Sequence, residues 1–142
     1  MNISARNQFS GTVASLQAGA VNAEVIVDLG GGTQLAAIIT NASVQSLGLA
    51  AGKPVVALVK ASSILLMTDG GGFKLSARNC LAGTVKQVRD GAVNAEVVLA
   101  LPGGTEVVAI VTQESVASLG LKAGVAATAV IKASAVILGV QG

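Results

Sequence analysis

The chain has 142 residues, 52% of them apolar and only 11% charged, with seven acidic residues against nine basic ones. A net charge of +2 is too small to argue for a polyanionic partner, and the absence of histidine removes the commonest general base and metal ligand. The longest uncharged stretch, from Leu29 to Gly52, is broken by glycines and by Thr33, Gln34, Thr40, Asn41, Ser43, Gln45 and Ser46, so it is not a membrane span.

In chain order, Ser4 to Val13 reads as a strand that continues towards Leu16, and Gln17-Ala18-Gly19-Ala20 as a turn. Val21, Ala23, Val25, Val27 and Leu29 alternate with Asn22, Glu24, Ile26 and Asp28, the period of a half-buried strand. Gly30-Gly31-Gly32-Thr33 turns the chain, and Leu35 to Ile39 is a third strand. The period then changes: Ser43 to Leu49 reads as one or two helical turns, with Ser43 as N-cap and Gly48 just past the end. Val55 to Lys60 and Ser63 to Met67 supply a fourth and a fifth strand.

The same order then repeats. Ser4-Ala5-Arg6-Asn7 returns as Ser76-Ala77-Arg78-Asn79, Gly19 to Val25 returns unchanged at Gly91 to Val97, and Lys60-Ala61-Ser62 returns as Lys132-Ala133-Ser134. Every pair is 72 positions apart, and 35 of 67 aligned pairs are identical, so one copy is the unit to which a function belongs. Asp69-Gly70-Gly71-Gly72 reads as an irregular connection. The expected organisation is a first domain at 1–69, a glycine-rich linker at 70–74 and a second domain at 75–142. Five short strands and a small helix per copy predict an all-β chain of two tandem OB-like five-stranded barrels. Units of about 70 residues are marginal alone, so each copy is expected to lean on its twin and on other chains.

Polar residues kept in both copies mark the candidate chemistry. They are the cations Arg6/Arg78 and Lys60/Lys132, the hydroxyls Ser4/Ser76, Thr40/Thr112, Ser43/Ser115 and Ser62/Ser134, and Asn7/Asn79, Asn22/Asn94 and Glu24/Glu96. The cations only donate hydrogen bonds, and hydroxyls can do either. Ser4 and Arg6 share a face if they lie in a strand, as do Lys60 and Ser62. Thr40 and Ser43 bracket a helix start, where free N–H groups favour an anion. The set suits a small, multiply charged oxyanion held by charge-assisted hydrogen bonds. Phosphate near neutral pH carries a proton and wants an acceptor, whereas sulfate, molybdate and tungstate want donors only. Charge does not separate those three.

Some repeated residues have simpler explanations. Helix capping alone accounts for Ser43, and Asn7/Asn79 reads as structural, bonding backbone at a strand bend. Glu24/Glu96 either pairs with a cation or supports a site from behind it. Cys80 is the single cysteine and its counterpart in the first copy is Gln8, which suggests a small packed thiol rather than a ligand.

The ordered set Ser-Ala-Arg-Asn, Gly-Thr-Val, the GAVNAEV run and a late Lys-Ala-Ser resembles the molybdate-binding Mop domain over essentially the whole chain. Two such domains in tandem resemble a two-repeat molbindin. That resemblance implies an OB-like fold, a homotrimer, and molybdate or tungstate bound at subunit interfaces and near a three-fold axis, in a cytoplasmic storage or homeostasis role. It implies Ser4, Arg6, Thr40, Ser43, Lys60 and Ser62 as one ligand set. Ser76, Arg78, Thr112, Ser115, Lys132 and Ser134 form the second. Val21-Asn22 and Val93-Asn94 would line sites near the axis. Enzymatic activity is not expected, since no His is present and Cys80 is not repeated. Nucleic acid is not an expected partner, since two phenylalanines make no stacking platform. The alternatives are a molybdate-sensing module, or a general sulfate-like oxyanion module acting through a partner protein.

Overall fold

The computed structural model describes residues 1–69 and 71–142; Gly70, within the expected linker, lies outside the described residues. The first copy contains β1 (Asn7–Ala18), β2 (Asn22–Gly30), β3 (Thr33–Thr40), α1 (Asn41–Leu47), β4 (Pro54–Val59) and β5 (Ile64–Met67). The second contains β6 (Asn79–Asp90), β7 (Asn94–Ala100), β8 (Glu106–Thr112), α2 (Gln113–Leu119), β9 (Ala126–Ile131) and β10 (Ile137–Gly139). A single 3-10 turn separates β4 from β5 (Ala61–Ser63) and β9 from β10 (Ala133–Ala135).

All neighbouring strands are antiparallel, but each sheet takes its fifth strand from the other copy. The first sheet runs β10-β4-β1-β2-β3 and the second β5-β9-β6-β7-β8. Ile64 opposes Ile131, and Ile137 opposes Leu58. The edge strands then curl back into contact, β10 with β3 and β5 with β8, which leaves little open edge. Five strands per sheet were legible from the pattern; the exchange was not.

The alternation in β2 does what its period predicts. Ala23, Val25 and Val27 are buried, as are Ala95, Val97 and Leu99 in β7. Val25, Val27, Val97 and Leu99 join Val13, Leu35, Ile64, Val85, Val107, Ile131 and Leu138 in one core that runs through both copies. Ile64 of the first copy thus sits among the second copy's strands, and Leu138 among the first's.

Gly31 and Gly103 meet where the two copies face each other. A Cβ on Gly31 would lie 2.9 Å from the Gly103 Cα, and one on Gly103 would lie 2.8 Å from the Gly31 Cα. Both have positive φ, 61° and 94°, so glycine is required for conformation and for close approach.

Several local expectations need correction. α1 starts at Asn41 and its N-cap is Thr40, not Ser43. Thr40 is extended (φ −74°, ψ 151°), and its Oγ1 accepts the Ser43 N–H at 3.0 Å. Thr112 caps α2 on Ser115 in the same way. Gly48, left-handed with φ 63°, ends α1 as its position suggested. Ser4 and Arg6 precede β1 rather than lying in it, and Lys60 to Ser62 leave β4 through the 3-10 turn. Neither pair shares a strand face. Cys80 is exposed rather than packed, because its neighbour Asn79 takes the inward position of β6.

Candidate functional site

Asn7 organises the region in which the repeated cations lie. It is 1% exposed and opposes Val59 across β1 and β4. Its Nδ2 donates to the Val59 carbonyl at 3.2 Å and to the Val108 carbonyl at 2.8 Å, while its Oδ1 accepts the Val108 N–H at 2.7 Å. The side-chain amide therefore adds a peptide-like rung to β8 of the other copy. Asn79 forms the mirror contact with Ala36, accepting its N–H at 2.7 Å and donating to its carbonyl at 2.8 Å. The structural role expected of these asparagines is borne out, and it ties the copies together. Arg6 directly precedes Asn7 and Lys60 directly follows Val59, so this one buried amide fixes the backbone beside both cations.

Around it lies an open cleft of about 330 Å³ lined by Ser4, Arg6, Lys60 and Ser62. Ile110 of β8 and Ile137 of β10 complete its wall. The cleft is therefore composite: its polar groups and most of its apolar lining, Ile3 and Leu58 among them, come from the first copy, and two isoleucines come from the second. All four polar residues are exposed. Ser76, Arg78, Lys132 and Ser134 hold the equivalent positions in the second copy and are exposed too.

The arginines have carboxylate partners across the copies. Arg6 pairs with Glu96 through Nη1 to Oε2 and through Nη2 to Oε1 at 2.9 Å. Arg78 pairs with Glu24 in the same fork, with Nη2 to Oε1 at 3.0 Å. Glu24 and Glu96 thus each pair with a cation, as one of their two expected roles required. The hydrogen bond that Arg6 donates to Glu96, then the negative charge of Glu96, holds the Arg6 guanidinium above the ordinary arginine range, against a smaller effect of desolvation. Lys60 and Lys132 have no carboxylate partner among the described residues, so the lysine is the uncompensated charge of each cluster.

Thr40 and Ser43 do not line this cleft. Their hydroxyls contact each other at 2.9 Å, and Thr40 opposes Asn22 across β2 and β3. The adjoining hairpin tip is docked on the helix start: the Asn41 N–H donates to the Val21 carbonyl at 2.9 Å and Asn41 Nδ2 to the Gly19 carbonyl at 2.9 Å. This leaves the Val21 side chain 70% exposed. Thr112, Ser115, Val93 and Asn94 repeat the arrangement, with Val93 72% exposed. Each expected ligand set is thus divided in one chain. In the first set four residues line the cleft, and in both sets the threonine and serine of the helix start join the hairpin residues Val21-Asn22 or Val93-Asn94. No local pattern signals that Ile110 and Ile137 wall the first copy's cleft, because both come from the other repeat.

Comparison with known proteins places this geometry. The TOBE domain model matches residues 3–66 and 75–138. The chain is 51% identical over 142 residues to the molybdenum transport protein ModE of Azotobacter vinelandii, covering 100% of this chain and 52% of that protein. It is 45% identical over 138 residues to the molybdenum-pterin-binding protein MopA of Rhodobacter capsulatus, covering 97% of this chain and 52% of that protein. The chain thus spans about half the length of these curated relatives. A solved structure of the cytoplasmic molybdate-binding protein ModG, with molybdate bound, superposes with a TM-score of 0.97 at 65% identity, covering 99% of this chain and 100% of that one. The family to which the repeated motifs pointed is borne out: the chain belongs to the TOBE domain family and carries two copies of the domain in tandem.

Proposed function

We propose that this chain binds molybdate, and tungstate as its analogue, without transforming it, and serves intracellular molybdenum storage or homeostasis. The observation that carries this is the composite cleft, where Ser4, Arg6, Lys60 and Ser62 converge and Lys60 is free of any carboxylate partner among the described residues. Hydroxyls, a lysine with no carboxylate partner among the described residues and an arginine with donors left over from its glutamate suit a fully ionised dianion. The molybdate-bound relative and the molybdenum-related names of the curated relatives support the same ligand.

The remaining ligands of each set are supplied by a neighbouring chain. Thr40 is exposed at a helix start, and the exposed apolar residues recur in pairs, Ile3/Leu75, Val21/Val93 and Leu65/Ile137. Such pairs on a low-charge surface suit burial against further copies. A homotrimer would bring Thr40 and Ser43 of one chain to a cation cluster of the next, and gather Val21, Asn22, Val93 and Asn94 near its axis. No nucleic acid enters this reading: Phe9 is buried, Phe73 is a single exposed ring rather than a stacking platform, and the net charge is small.

Calorimetric titration with molybdate, tungstate, sulfate and phosphate tests it. Expected is tight binding of molybdate and tungstate, more than one anion per chain, and weak binding of phosphate. Sulfate binding equal to molybdate would sink the molybdate assignment. Arg6→Ala combined with Arg78→Ala is expected to weaken binding at least tenfold, and unchanged affinity and stoichiometry would remove the arginines as ligands.

A further inference from the structure

We propose that Glu96 positions Arg6 for the oxyanion and Glu24 positions Arg78, so that each cation cluster is organised by a carboxylate from the opposite copy. This rests on the oxyanion reading above and assigns the two glutamates a task within it.

Four observations carry it. First, the fork uses one edge of the guanidinium. Arginine has five N–H donors and Glu96 takes two of them, so three remain for a ligand. Second, the partners differ in burial: the Arg6 side chain is 48% exposed and that of Glu96 only 18%. The carboxylate is the anchor and the guanidinium reaches into the open. Third, Arg6 lies in the segment before β1, outside regular structure, whereas Glu96 lies in β7 between β6 and β8. Its neighbours Ala95 and Val97 are buried, so Glu96 is held on a fixed element. A flexible ligand side chain is thus braced by a rigid strand, which cuts the side-chain entropy lost on binding. Fourth, Arg78 and Glu24 repeat the same fork with the copies reversed, at 51% and 27% exposure.

A glutamate near a dianion would otherwise only repel it. The fork resolves that conflict by turning both carboxylate oxygens onto the arginine, while Lys60 keeps the cleft cationic.

The test is molybdate titration of Glu96→Gln in three backgrounds: the parent chain, Arg6→Ala and Arg78→Ala. In the parent, Glu96→Gln is expected to weaken one class of sites about tenfold and leave the other intact, in line with outer partners of ligands elsewhere. In Arg6→Ala it is expected to add nothing, because its target is gone. In Arg78→Ala it is expected to add its full effect. An equal loss in all three backgrounds would mean a merely structural role and overturns the proposal. So does unchanged or tighter binding in the parent background, which would make Glu96 a bystander or a competitor. If Glu96→Gln does not fold, Glu24→Gln read against Arg78→Ala and Arg6→Ala gives the mirror test with the same deciding outcomes. A parent chain that binds no oxyanion overturns the oxyanion reading and this proposal together. A parent that binds while Glu96→Gln has no effect overturns only the positioning role.

Discussion

At the scale of the residue, Asn7 shows how much one buried polar group can decide. Its amide uses both Nδ2 hydrogens and its Oδ1 on backbone groups, Val59 on its own sheet and Val108 on the other. Removing it leaves the part-buried Val108 N–H without its partner, and unsatisfied groups of that kind cost about 1–3 kcal/mol each. Asn7→Ala is therefore expected to lower unfolding stability by at least that amount in urea titration. Because Asn7 also fixes the backbone beside Arg6 and Lys60, molybdate binding should weaken even where the variant is folded. A variant as stable as the parent would show that water replaces the amide without cost. The arginines make the complementary point. Their ion pairs are half exposed, where such pairs add little to stability. Their consequence is orientation.

At the scale of the element, the exchanged strands matter most. β10 has three residues and pairs only with Ile137 to Gly139 against Val56 to Leu58, yet it brings Leu138 into the core of the first sheet. Removing residues 136–142 is expected to expose the β4 edge in the first copy, although the deletion lies in the second. Hydrogen exchange should show lost protection in β4, with β9 retaining its own, since β9 stays paired to β5 and β6. Loss confined to β9 would contradict the exchange. The helices are a smaller matter of the same kind. Seven residues cannot hold a helix in water unaided, so α1 depends on its Thr40 cap, its Gly48 terminus and the hairpin tip beneath it.

At the scale of the whole molecule, the two copies form one body related by a pseudo-two-fold. The Gly31–Gly103 contact, the crossed asparagines, the crossed forks and the exchanged strands all obey it. Self-complementary contacts of this sort are those of an isologous dimer, here joined in one chain. What the body leaves exposed is also paired, Val21 with Val93 and Leu65 with Ile137. Sedimentation at micromolar concentration is expected to show a species of three times the chain mass. A monomer that still binds molybdate with full stoichiometry would count against interface sites.

The repeat, the strand periods, the glycine turns and the polar inventory are local properties, so each is legible along the chain itself. Period two in Val21 to Leu29 needs no knowledge of what lies opposite, and the recurrence of Arg6, Lys60, Ser4 and Ser62 needs only alignment of the chain with itself. Those residues do share a cleft. The pairing partners were not legible. Nothing local distinguishes a fifth strand that closes its own sheet from one that closes its twin's, because the two sheets have the same strand order and offer equivalent edges. For the same reason Glu96 could not be matched to Arg6, or Asn7 to Val108, from spacing: the contacts run between segments 90 and 101 positions apart. Sequence alone determined which groups are present and that they come in twos. Tertiary structure decided which copy serves which site, because only the packed body brings those distant segments together.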